Sequence, residues 1–374
     1  LNKTLRAIRS FLILFLILYI LLITAAVSPD RTYSESENKY LSQFPEVSLK
    51  GIFSGSFEEK YGDYVSDQFP GRDTWIAVKS IAESALLKTE NNGVVYGKDG
   101  YLFQRFDSFD QSDLDDNVMS ISSFAEKASA PVTVMIVPSS YCVLSDKLPT
   151  NAPFADQRSL LENGSEGFLG SKFAGCSYVD ALSVLDRHND EYIYYMTDHH
   201  WTTDGAWYAY NALCSHLGLE AFDHSSGSSH VSEGFLGTSY SKCKKIRQQA
   251  DSLKYYNVSA VLTEGTNRHD TVYDFTKLSS RDKYAMFLYG NGPERKIESS
   301  PGSGKKRSLL VIKDSFADCM IPFLTHNYES ITCVDPRYYA DSFTSLASGD
   351  YDDILILFGF EDLAAESSIL KLGF

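Results

Sequence analysis

Two acid–base groups stand two residues apart in the stretch Tyr195-Met196-Thr197-Asp198-His199-His200-Trp201-Thr202-Thr203-Asp204-Gly205. An Asp two positions before a His can accept from its Nδ1–H, which sets the tautomer and leaves Nε2 free as a base. Such a base calls for a nucleophile. Ser315 offers one, in Leu309-Leu310-Val311-Ile312-Lys313-Asp314-Ser315-Phe316. A serine hydroxyl deprotonated by a histidine attacks carbonyl carbon and holds the acyl group as an ester. The chemistry in view is acyl transfer or ester cleavage.

Both groups need elements that aim them. With Thr203 as N-cap, Trp207, Tyr210, Leu213, Cys214 and Leu217 fall on one face, so a helix is predicted directly after the Asp-His loop. Asp198 and His200 then sit on a loop held against a helix start, where a side chain can be directed. Ser315 follows the apolar run 308–312, read as a strand, and opens a helix from about Phe316 that Pro322 should kink. Serine at the carboxyl end of a strand is where parallel sheets place chemistry. Its own N–H and the helix dipole there favour an incoming oxyanion. Serine after a strand is also a common N-cap, and spacing alone leaves both readings open.

The remaining pattern indicates an α/β fold. Val132 to Val137 is a continuous apolar run ended by Pro138, the signature of a strand buried on both faces. Short strands at Tyr178 to Ala181, Ile331 to Val334 and Ile354 to Phe358, with 308–312, alternate with helical stretches. A mostly parallel sheet follows from that alternation. Helices are expected at Trp75 to Leu87 and around 113–128, and a hairpin joins Val94-Val95-Tyr96 to Tyr101-Leu102-Phe103. The stretch 222–306 is irregular, with one strand expected at Tyr284 to Tyr289.

A chain of 374 residues can bury one large core, with or without an appendage. A formal net charge of -15 argues against nucleic acid as a partner. Phe11 to Val27 is apolar except for Thr24 and is preceded by Lys3, Arg6 and Arg9. Residues 1–27 therefore read as a cytoplasmic stub and a single-pass membrane anchor, with everything beyond outside the cytoplasm. Thr24-Ala25-Ala26 is a possible cleavage site, which would make the protein secreted. Residues 28–60, Ser/Glu-rich, read as a stalk, and 61–374 as the catalytic domain. The six cysteines are scattered without a CxxC pair, so they suggest neither a metal set nor a required disulfide.

Four strings in order carry a family resemblance: Asp67-Gln68-Phe69-Pro70-Gly71-Arg72, Gly93 to Phe103, Asp198-His199-His200-Trp201 and Lys313-Asp314-Ser315-Phe316. With them the sequence resembles the DHHW proteins, relatives of the alginate O-acetyltransferases. The resemblance implies a three-layer α/β/α SGNH-hydrolase-like domain, circularly permuted so that the Asp-His block precedes the Ser block. It implies Asp198, His200 and Ser315 as a triad, no cofactor or metal, and O-acetylation of a secreted or cell-wall polysaccharide. It further implies a membrane-bound O-acyltransferase partner that supplies acetyl. An esterase removing acetyl with the same triad, and a non-catalytic polysaccharide assembly protein, are the competing readings.

The sequence departs from the family pattern twice. Lys313 stands where Gly usually precedes Asp-Ser. Gly359-Phe360-Glu361-Asp362 resembles the Gly-x-Asn-Asp block, but Glu361 replaces Asn, and a carboxylate donates a hydrogen bond only when protonated. Gly290-Asn291 is the candidate for the second oxyanion donor. Arg337 and Tyr338, at the end of the strand after Ser315, either line a carbohydrate cleft or serve an ion pair and packing. Gly237-Thr238-Ser239-Tyr240-Ser241 resembles the alginate enzymes' nucleophile string more closely than the Ser315 string does. Little strand-like sequence precedes it, so Ser315 is preferred to Ser239. Asp198-His199-His200 also spells the motif of the metal-binding DHH phosphoesterases, which need further Asp-rich motifs; Asp113 to Asp116 is a poor substitute.

Overall fold

All six residues of Val132–Val137 are buried. Successive strand side chains point to opposite faces, so the sheet holding this strand is covered on both sides. The computed structural model describes residues 2–34, 36–37, 39–86, 88–224, 228–299 and 306–373. Its central sheet has eight strands: β1 (Val132–Val137), β2 (Cys176–Val179), β3 (Ala260–Glu264), β4 (Asn267–His269), β5 (Glu294–Ser299), β6 (Ser308–Lys313), β7 (Ser330–Val334) and β8 (Asp353–Gly359). Their spatial order is β4-β3-β5-β7-β6-β8-β1-β2. The five strands from β7 to β2 are parallel, and β5, β3 and β4 extend one edge antiparallel.

The strand order reverses in the middle. The connection leaving β6 runs to β7 on one side, whereas the one leaving β1 runs to β2 on the other. Where connections diverge, the loops leave a crevice at the carboxyl ends of the strands between them. Ser315 lies at the end of β6, on that crevice.

Helix Gln111–Lys127 is capped by Asp110, which accepts from the Ser112 N–H, and buries Leu114, Val118, Ile121 and Phe124 at helical spacing. The hairpin expected at 94–103 pairs Val94–Tyr96 with Leu102–Gln104. Helix Thr203–Leu217 is also present, but its N-cap is Thr202, whose hydroxyl accepts from the Gly205 N–H at 3.2 Å. The Thr203 hydroxyl instead donates to the Lys254 carbonyl at 2.5 Å. All six cysteines are free thiols, and all but Cys176 are buried.

Two expected elements differ. Tyr284 to Tyr289 forms a 3-10 turn, Tyr284–Met286, followed by left-handed Leu288 and Tyr289 at φ 52 and 64. The run is apolar because it is buried; burial without alternation does not specify a strand. The expected kinked helix after Ser315 is a 3-10 turn, Ser315–Cys319, and a four-residue helix, Ile321–Leu324. Pro322 falls in that helix's first turn, where its missing N–H costs nothing, so the proline starts a helix instead of bending one.

The chain divides into two compact units: Leu1–Lys88 with Lys244–Ile246, and the rest. The first contains helix Asn2–Val27, whose Lys3–Val27 stretch is long and apolar enough to cross a membrane. It also holds helices Leu49–Ser54, Ser56–Asp67 and Arg72–Ala85. The stretch read as a stalk is therefore partly helical, and residues 61–88 group with it. Leu87, the expected end of the last helix, lies outside the described residues. Buried Asp67 ties this unit together by accepting from Lys39 Nζ at 2.8 Å and the Ser42 N–H at 2.9 Å.

Candidate active site

The Asp-His loop is closed at its base by a bridge between Tyr194 and Trp201. Its first turn is held by Asp251, a buried carboxylate that accepts from the Met196 N–H at 2.8 Å, the Thr197 N–H at 2.7 Å, the Thr197 hydroxyl at 2.5 Å and the Tyr192 hydroxyl. Trp201 is fully buried, and its indole N–H donates to the Phe316 carbonyl at 2.8 Å. That bond ties the Asp-His loop to the turn carrying Ser315.

These constraints place three side chains in line. His200 Nδ1–H donates to Asp198 Oδ1 at 2.5 Å, and the Ser315 hydroxyl donates to His200 Nε2 at 2.8 Å. The other carboxylate oxygen, Asp198 Oδ2, accepts from the Thr238 N–H at 2.7 Å and the Thr238 hydroxyl at 2.9 Å. Burial alone would raise the Asp198 pKa. The two imidazoles beside it, His200 and His199, and the hydrogen bonds from His200 and Thr238 outweigh it, and the carboxyl is held well below its ordinary range. Asp198 thus stays ionised and fixes the tautomer in which Nε2 is the base.

Asp314 caps the serine turn. Its Oδ1 accepts from the Phe316 N–H at 2.8 Å and its Oδ2 from the Gly359 N–H at 2.5 Å, joining the ends of β6 and β8. Ser315 is the first residue of its 3-10 turn, so its own N–H has no place in the turn's ladder. Lys313, where the pattern has Gly, points into the core and pairs with Asp318 at 2.5 Å.

Ser315 opens on a narrow cleft. The walls come from the carboxyl ends of four strands: Ser139, Ser140 and Tyr141 after β1, Ser315 and Phe316 after β6, Arg337 after β7, and Glu361 and Asp362 after β8. Gln104 and His199 complete them. Glu361 Oε1 accepts from the Ser139 hydroxyl at 2.8 Å, and burial pushes the Glu361 carboxyl up to about 7. His199 Nδ1–H donates to the Thr238 hydroxyl at 2.8 Å; burial and the adjacent His200 keep its ring neutral.

Arg337 reaches the cleft already engaged, by Nε and Nη2 to Asp335 at 2.9 and 2.7 Å and by Nη1 to Asp362 at 3.2 Å. Tyr338 lies instead in a shallow groove with Glu294 and Lys296, and neither Gly290 nor the exposed Asn291 lines the cleft. Ser239 is fully buried in the helix Thr238–Cys243 and does not line the cleft. Its string has another use: Gly237 packs so tightly on Asp198 that a Cβ there would meet Asp198 Oδ2 at 2.3 Å. The ligand-type atoms of Asp198, His199 and His200 lie within 4.8 Å of one another, but both oxygens of Asp198 and both nitrogens of His200 are engaged as described.

Sequence reasoning missed Gly237-Thr238, Asp251 and Tyr284. The first pair carries a signal, since it opens the string that resembles a nucleophile motif, but that resemblance points to Ser239 and not to the pair. Asp251 stands alone in an irregular region and carried none.

The DHHW protein family profile matches residues 78–334. The chain belongs to the DHHW family. Among solved structures, it is similar to a DHHW family protein from Eubacterium siraeum DSM 15702, at 23% identity and a TM-score of 0.64, over 75% of this chain and 95% of that one. It is similar also to Bacillus cereus PatB1 with a sulfonyl adduct, at 19% identity and a TM-score of 0.61, over 75% and 98% of the two chains. The O-acetyltransferase domain of Pseudomonas putida AlgJ matches at 15% identity and a TM-score of 0.47, over 75% and 98%. No curated protein matches this DHHW chain in sequence.

Proposed function

We propose that this DHHW protein is a membrane-anchored, extracytoplasmic O-acetyltransferase acting on a secreted or cell-wall polysaccharide. The observation that carries the reading is the unbroken line Asp198–His200–Ser315, at 2.5 and 2.8 Å, opening on a cleft at the carboxyl ends of four strands. His200 Nε2 takes the Ser315 proton as Oγ bonds to the acyl carbon, and the carbonyl electron pair moves onto oxygen. The Ser315 N–H faces that oxyanion. Collapse expels the leaving group, which takes the proton from His200, and acetyl remains on Ser315. A sugar hydroxyl then gives its proton to His200 as its oxygen bonds to the acetyl carbon. Collapse breaks the bond from that carbon to Ser315 Oγ, which takes the proton back from His200, and acetyl leaves on the sugar.

The order of the blocks, Asp198 and His200 before Ser315, fits a circularly permuted SGNH domain. Acetyl would come from a membrane-bound O-acyltransferase, beside which the helix Asn2–Val27 would hold the domain. The sulfonyl adduct on PatB1 adds chemical support, since sulfonyl reagents capture activated nucleophiles.

The test uses the full-length protein in detergent with p-nitrophenyl acetate, with and without an oligosaccharide acceptor. Ser315→Ala and His200→Ala lower turnover at least about 10³-fold, and Ser239→Ala leaves it within about twofold. Acetylated oligosaccharide is detected by mass spectrometry; acetate alone would make the protein an esterase. Full activity in Ser315→Ala would sink the assignment.

A further inference from the structure

Tyr284 occupies the buried 3-10 turn Tyr284–Met286. Its ring lies flat on the imidazole of His200, with centroids 3.9 Å apart and planes 8° from parallel. Its hydroxyl donates to the carbonyl of Ser315 at 2.9 Å. One side chain therefore touches the base with a ring face and the nucleophile's own backbone with a hydroxyl. Tyr195 and Phe287 pack on the same ring at 6.3 and 5.3 Å and hold it in place.

We propose that Tyr284 is a positioning residue for acyl transfer, its ring stabilising the imidazolium of His200 and its hydroxyl fixing the turn that presents Ser315. The role in transfer rests on the triad reading above. An aromatic face carries negative quadrupole charge and attracts a cation held within about 6 Å of its centroid. Taking the Ser315 proton makes His200 a cation until it passes that proton on. The ring therefore acts on the charged state more than on the resting one, which is the condition for lowering a barrier. The remaining polar and charged neighbours are Asp198 and His199 on the same loop, Asp318 and Cys319 on the serine turn, and Tyr195. Burial pushes the Tyr284 phenol well up, so it remains a neutral donor.

The experiment follows the His200 imidazole by NMR in the ¹⁵N-histidine-labelled, full-length protein in detergent. The resonance is assigned by its loss in His200→Gln. Tyr284→Phe keeps the ring, so the His200 titration midpoint stays within about 0.2 units of wild type; Tyr284→Leu lowers it by about 0.5–1 unit. Pentafluorophenylalanine at 284 keeps the shape but reverses the quadrupole, and lowers the midpoint even if the Leu variant does not fold. With p-nitrophenyl acetate, Tyr284→Phe loses about 3–10-fold in kcat at unchanged KM, through the Ser315 carbonyl bond alone. An unmoved midpoint in both the Leu and pentafluoro proteins overturns the proposal, as does unchanged kcat in Tyr284→Phe. Failure of the triad reading shows separately, as turnover that survives Ser315→Ala whatever the midpoint does.

Discussion

Glu361 on the cleft and Asp198 in the triad line are both carboxylates, and their surroundings drive them in opposite directions. Asp198 faces two histidines and two donors on Thr238, which hold it ionised. Glu361 has one hydroxyl donor, burial, and the neighbouring Asp362, and is pushed up to about 7. A carboxyl whose folded pKa exceeds its unfolded value binds more protons when folded. Its contribution is fully present below the unfolded pKa and is lost as pH rises through the folded one. The window here runs from about 4.5 to about 7. Glu361→Gln removes that loss, so the variant gains stability relative to wild type on the order of 1–2 kcal/mol between pH 5 and 8. Thermal melts at the two pH values check the sign. A wild-type protein that loses no more than Glu361→Gln over this range contradicts it.

At the level of elements, the geometry depends on two junctions. The first is the close approach of Gly237 to Asp198. In Gly237→Ala the new Cβ meets the carboxylate at 2.3 Å, so Asp198 must move off His200. Esterase turnover falls at least about 100-fold while the protein loses about 1–3 kcal/mol, as overpacking does. Retained turnover in a folded Gly237→Ala protein would rule out this support for Asp198. The second junction is the Trp201 indole bond to the Phe316 carbonyl. Trp201→Phe keeps most of the buried bulk but removes the indole donor from that carbonyl, which keeps the Cys319 thiol. A stability loss of about 1–3 kcal/mol follows, with a lower kcat at an unchanged KM. A kcat equal to wild type means the loop and the turn keep their register without the indole.

These junctions also mark what the sequence conceals. Asp198 and His200 are legible because their two-residue separation is a local geometry, and Ser315 because a strand-to-turn transition is local too. Gly237-Thr238 lies 39 and 40 positions beyond Asp198, and Tyr284 lies 31 before Ser315. Nothing in a linear string says that such segments meet. The short string around Ser239 resembles a nucleophile string and is set aside in favour of Ser315, while the part its glycine and threonine play in holding Asp198 stays hidden.

For the whole molecule, the N-terminal helix and the crevice of the central sheet divide the work. Lys3–Val27 has the length and composition of a membrane span. A chain lacking residues 2–27 is expected in the soluble fraction, with Ser315-dependent hydrolysis of p-nitrophenyl acetate within about twofold of the full chain. Membrane retention of the truncated chain, measured by carbonate extraction, would assign anchoring to another part.

Periodicity and short-range spacing determined the α/β class, the helix around 113–128, the helix that follows the Asp-His loop, the apolar N-terminal stretch and the Asp198-His200 unit. Each is set by residues within a turn or two of one another, where backbone geometry converts spacing directly into a shared face. Only the tertiary structure decided that the β6, β8, β1 and β7 ends enclose one cleft, that Arg337 reaches it while Tyr338, Gly290 and Asn291 do not, and that Tyr284 lies on His200. Those placements depend on strand order and on packing between distant segments. Their energies come from burial and hydrogen bonding in the assembled core, and local sequence carries no record of which partners will be there.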